Sequence, residues 1–129
     1  MAEYKGKTEQ QKKRAYSPAV VTQGGKTVWL AGQTATQDEQ GKDISGNFEA
    51  QVRTIFSLLD KTLQTCGGGL ADMVTMTVFI TDPRNHPRMT AIRREIFGKD
   101  FPASASIAIS HLASPNALLE IQGVAVIPV

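Results

Sequence analysis

Between Asn47 and Cys66, Phe48, Val52, Ile55, Phe56, Leu59 and Leu63 recur at three- and four-residue steps, and Gly67, Gly68 and Gly69 follow at once. That spacing predicts an α-helix with a single apolar face. Ser45 or Asn47 can cap its start, and a glycine can supply a left-handed cap at its end. The opposite face carries Glu49, Arg53, Asp60 and Lys61. Such a helix must cover something on one side only, and a sheet is its natural partner.

The remaining segments supply that sheet. Residues 18–22 and 27–32 are short β-rich runs separated by Gln23, Gly24, Gly25 and Lys26, a spacing that predicts a hairpin. A polar, turn-rich loop follows Gly32. Residues 72–81 alternate as a strand, with Val74, Met76, Val78 and Ile80 on one face and Thr75, Thr77 and Phe79 on the other. A second helix is expected from about Asn85 or Pro87 to Phe97, burying Met89, Ile92, Ile96 and Phe97 and ending at Gly98. Residues 104–112 and 117–127 read as two final strands, the second apolar enough to be central. The fold class is α+β: one sheet with two helices on one face. Its other face, bearing threonines and small or apolar residues, has no layer to cover it, so association through that face is expected.

A chain of 129 residues suits one domain. Five of its Lys and Arg fall in residues 1–15 against two acids, and the rest of the chain is one charge negative. The division expected is a solvated basic tail at 1–15 and a folded domain at 16–129. A near-neutral body lacks the basic footprint of a nucleic-acid binder. No run approaches the roughly 18 apolar residues of a membrane span. The N-terminus has no apolar stretch of a secretory signal, and Cys66 stands alone; a cytoplasmic location is the expectation.

Phosphate-loop, dinucleotide, nucleophile-elbow and zinc signatures are missing. His86 and His111 lie far apart in sequence without a neighbouring cysteine, so no metal site is expected. Cys66 ends a helix, where the dipole disfavours a thiolate. Arg84, Arg88, Arg93, Arg94 and His86 form a basic cluster that reads as a solvated face. Glu120 is the most informative residue. It is a lone acid in the run LLEIQGVAVI, and an unpaired carboxylate there is costly unless it faces a cavity or a partner. In a cavity it can serve as a general base or position a water; as an interface acid it would meet an arginine of another subunit. Gly32, beside Gln33 at a strand end, either lets a ligand approach the backbone or marks an ordinary turn.

Six segments in order, YSPAV (16–20), VWLAGQT (28–34), QVRTIFSLLDKTL (51–63), VTMTVFITD (74–82), FPASASI (101–107) and EIQGVAV (120–126), together resemble the RidA/YjgF family, also called the L-PSP endoribonuclease family. The resemblance implies a chorismate-mutase-like mixed sheet backed by two helices. It also implies a homotrimer whose sheets line a central barrel, with small-molecule clefts between subunits. Family members hydrolyse enamines and imines such as 2-aminoacrylate, or deaminate 2-aminomuconate, without a metal or organic cofactor. Some have been described as ribonucleases. By resemblance, Glu120 is the catalytic carboxylate, and Tyr16, Ala31, Gly32, Gln33, Ser104 and Ser106 bind substrate. Two departures stand out. The family's Ser-Gly-Gln is Ala31-Gly32-Gln33 here, and the arginine of its Pro-Ala-Arg-Ser element is Ser104. That arginine clamps the substrate carboxylate with paired charge-assisted bonds, whereas a serine offers one neutral bond. Arg53, Arg84 or a neighbouring subunit's arginine could replace it. Two readings follow: an imine or enamine deaminase of altered substrate choice, or a non-catalytic trimer binding a metabolite or regulatory partner. A nuclease is a third, weighed against by the neutral body.

Overall fold

The computed structural model describes residues 2–6 and 8–129. In chain order the elements are β1 (Glu3–Lys5), α1 (Glu9–Lys13), β2 (Ala19–Val21), β3 (Lys26–Gln33), α2 (Phe48–Thr65), β4 (Met73–Ile80), α3 (His86–Phe97), β5 (Ala103–Ala108) and β6 (Leu119–Ile127). Four strands form a mixed sheet in the order β3-β6-β4-β5, with β4 and β5 parallel and the other pairs antiparallel.

Helix α2 forms as its periodicity predicts. The Asn47 side chain accepts from the Ala50 N–H, and Phe48, Val52, Ile55, Phe56, Leu59 and Leu63 are buried. Gly67, at φ 90°, takes the left-handed position beyond its end, and the Gly68 N–H returns to the Leu63 carbonyl at 3.0 Å. Gln51 is buried in the apolar stripe as well. Its amide donates to the carbonyls of Ile44 and Asn116 and accepts from the Leu118 N–H, which fixes the start of β6 against α2. In α3, Met89 and Ile92 are buried, and Phe97 meets Phe56 edge-on with ring centroids 5.8 Å apart.

Both helices pack on one face of the sheet, over Met76, Val78, Ile80, Leu119, Ile121 and Ala125. Strand β6 lies between β3 and β4 and is central, as its apolar composition predicts. The opposite face is open. It carries Thr75, Thr77 and Phe79 from β4, and Trp29 on β3 is 79% exposed.

Four expectations are corrected. Residues 18–22 and 27–32 do not zip into a hairpin. Gly24 and Gly25 do turn the chain with positive φ, but β2 pairs with β1 and β3 pairs with β6. The solvated basic tail carries structure of its own: β1 pairs with β2 and Thr8 caps α1 in a reciprocal capping box, while α1 buries no residue. The alternation of β4 fails at its start, where a register shift between Met73 and Thr75 turns Met73 into the core and leaves Val74 half-buried. Strand β5 ends at Ala108 rather than Leu112.

Candidate functional site

Two groups of residues singled out from the sequence come together, in two different places. The first is at the end of β3. There the register with β6 runs from Leu30 opposite Gly123 to Gln33 opposite Ile121, so one extra residue is held in β3 around Ala31 and Gly32. A bulge of this kind frees backbone groups from the ladder. Glu120 lies over it. A side chain on Gly32 would put its Cβ 2.8 Å from the Glu120 Cδ and nearer still to Oε2. Gly32 thus leaves open the space that the carboxylate occupies, and a side chain there would have to displace it. Glu120 is half-buried between fully buried Leu119 and Ile121. Among the described residues it has no ion-pair partner. Gln33 turns its amide to the Thr34 carbonyl.

The second place is a cleft of about 630 Å³ between α3, β5 and the segment that leads into β2. Tyr16, Ser104 and Ser106 line it, together with Arg14, His86, Pro87, Thr90 and Arg93. His86, Thr90 and Arg93 recur at four and three residues, so they share one helix face. Tyr16 is brought there by Ala15, which is fully buried at φ 58°, an unusual conformation for alanine. The Arg14 carbonyl just before it accepts from Arg93 Nη2 at 2.9 Å, and the Ser17 hydroxyl donates to the Phe101 carbonyl at 2.6 Å.

Arg93 corrects the reading of the basic cluster as solvated. It is 4% exposed. Its Nη1 donates to Ser104 Oγ at 3.0 Å, and its Nε is buried without a partner. Burial, with Arg94 nearby, lowers its pKa to about 10, and Tyr16 opposes the shift; it stays charged at neutral pH. The helix periodicity carried the signal, since Arg93 falls in the stripe of Met89, Ile92 and Ile96. The two arginines considered as substitutes are engaged elsewhere. Arg53 bridges Glu49 on α2 and Glu95 on α3, and Arg84 pairs with Asp82.

The two places lie on opposite faces of one sheet. Ser104 and Ser106 pair with Met76 and Val78, whose side chains are buried on the helix face. Glu120 pairs with Phe79, on the open face. Strands β6 and β5 are separated by β4, about 10 Å apart across the sheet. One chain therefore cannot present Glu120 to a ligand held against Ser104. Among the described residues no group of three His, Cys, Asp or Glu side chains could hold a metal ion. No described helix is long and apolar enough to cross a membrane.

A family model described as Endoribonuclease L-PSP matches residues 7–127. A 2-iminobutanoate/2-iminopropanoate deaminase of Dermatophagoides farinae is 28% identical over 112 residues, 87% of this chain and 85% of that protein. A RutC family protein of Pyrococcus horikoshii is 27% identical over 110 residues, 85% of each chain. Among solved structures, YyfB of Yersinia pestis, a Rid family protein of unknown function, superposes with a TM-score of 0.86 at 23% identity and covers 98% of both chains. That likeness is one of fold, and it confirms the α+β architecture with both helices on one side.

Proposed function

Because the chain belongs to the Endoribonuclease L-PSP family, also known as RidA/YjgF, we propose that it hydrolyses enamine or imine intermediates to a carbonyl product and ammonia. The observation that carries this reading is the Glu120 carboxylate seated over Gly32 beside a β-bulge, without an ion-pair partner. Glu120 positions a water and takes its proton as the oxygen adds to the imine carbon. The carboxyl group returns that proton to nitrogen, which gives the neutral carbinolamine; it then carries the hydroxyl proton to the same nitrogen, the C–N bond breaks with its electron pair leaving on ammonia, and the oxygen closes to the carbonyl. Tyr16, Ala31, Gly32, Gln33, Ser104 and Ser106 hold the substrate, and no metal or organic cofactor takes part.

The assembly proposed is a homotrimer in the cytoplasm. The open sheet face, with Trp29 79% exposed and Ile107 44% exposed, is the surface a second copy would cover. The opposed placement of the two half-sites supports a cleft completed between copies, with Glu120 and Gly32 from one and Tyr16, Ser104 and Ser106 from its neighbour. Residues 16–129 form the catalytic body in this reading, and residues 1–15 an extension to it.

Ser104 in place of the family's arginine favours a second reading, a non-catalytic trimer that binds a metabolite. Ammonia release separates the two. Freshly generated 2-aminoacrylate, bulkier 2-imino acids, 2-aminomuconate and imines lacking a carboxylate are supplied to the purified protein. Release above the spontaneous rate, with preference for the larger acids, is expected. No release from any of them supports the binding protein. The near-neutral body weighs against RNA as substrate.

A further inference from the structure

We propose that Arg93 is the carboxylate-binding residue of the cleft, delivered from helix α3 to the place that an arginine on β5 fills in other members of the family. This rests on the hydrolase reading for the identity of the substrate, but the anion site stands on the structure alone.

A guanidinium has five N–H donors. Arg93 uses one on Ser104 Oγ and one on the Arg14 carbonyl, both neutral acceptors. Among the described residues no carboxylate lies within ion-pair distance of it. A buried charge without a counter-ion is costly. The cleft does not supply one: its walls hold Arg14, Arg93 and His86 and no acid. What the site lacks is an anion.

The hydroxyls around it suit a carboxylate. Ser104 Oγ already accepts from Arg93, so its own hydrogen is left to point elsewhere. Among the described residues, Thr90 and Ser106 spend no side-chain hydrogen bond within the chain. A serine at 104 thus has a positive role: it is short enough to leave room for the guanidinium from α3 and it holds that group in place. An arginine at 104 would compete for the same volume and repel Arg93. At about 630 Å³ the cleft also has room for acids larger than a three-carbon imine.

The test reads the Arg93 Nε–Hε resonance in isotopically labelled wild-type protein, assigned by through-bond correlation to the Arg93 backbone. The probes are 2-oxobutanoate and its neutral amide. A saturable shift with the acid and none with the amide is expected, with affinity for the acid falling at least about tenfold in Arg93→Lys and less in Ser104→Ala. An Arg93 resonance unmoved at saturating 2-oxobutanoate, or equal binding of the amide, overturns the proposal. The wild-type spectrum decides even if the variants fail to fold. The two readings fail separately: acid binding at Arg93 without ammonia release leaves the anion site standing, and ammonia release with a silent Arg93 does the reverse.

Discussion

Glu120→Gln is expected to lower ammonia release by roughly 10²–10⁴-fold, the usual worth of a positioned general base. The substitution keeps the shape of the side chain and removes its ability to take a proton. Glu120 is half-buried and, among the described residues, holds no ion pair that the change would break. Unfolding midpoint and sedimentation should therefore match the wild type, and the loss should fall on kcat/KM. Steady-state rates on the best imine of the panel check it. A loss of less than about tenfold would remove Glu120 from the proton transfers and leave it a packing residue beside Gly32.

Gly123→Ala is expected to produce the largest loss of stability. Gly123 lies on the central strand, opposite Leu30 on one side and Met76 on the other. A Cβ there would stand 2.7 Å from the Met73 Cε and 3.3 Å from the Met76 Cα, with the Thr75 carbonyl oxygen closer still. Met73 is a flexible side chain that can move, but the β4 backbone can yield only by opening its pairing with β6. Overpacking of this kind costs about 1–3 kcal/mol, and a backbone obstacle puts the cost near the top of that range. For a chain of this size the melting temperature should fall by roughly 10 °C. Thermal unfolding followed by circular dichroism measures it, and a change of less than about 2 °C would show that the β4 bulge absorbs the methyl group.

The parts of the fold legible in the sequence are those set by local chemistry. Helix α2 announces its boundaries through Asn47, its apolar period and the glycines that follow, all within one segment. The central place of β6 follows from its composition. What escaped depends on choices between distant partners. Gly24 and Gly25 make a turn wherever β2 goes, and the pairing of β2 with β1 depends on a strand near the N-terminus that looks like charged tail. The bulge at Val74 is invisible to simple alternation. Gln51 and Arg93 are polar residues inside apolar stripes, and residue type alone assigns both to solvent. Each is buried because specific groups receive it: backbone carbonyls and an N–H for Gln51, Ser104 and the Arg14 carbonyl for Arg93. The resemblance assembled Glu120, Gly32, Tyr16, Ser104 and Ser106 into one list. Their division between two faces of the sheet is a matter of register, which no single segment encodes.

That division makes mixing the most direct test of a cleft shared between copies. Glu120→Gln disables one half-site. Ser106→Trp, on the exposed part of β5, fills the other with an indole. Each variant alone should release little ammonia. After subunit exchange, confirmed by mass, an equal mixture should recover about a quarter of the wild-type rate, because that share of clefts would pair an intact Glu120 with an open neighbour. A mixture that exchanges subunits and stays inactive would contradict the shared cleft.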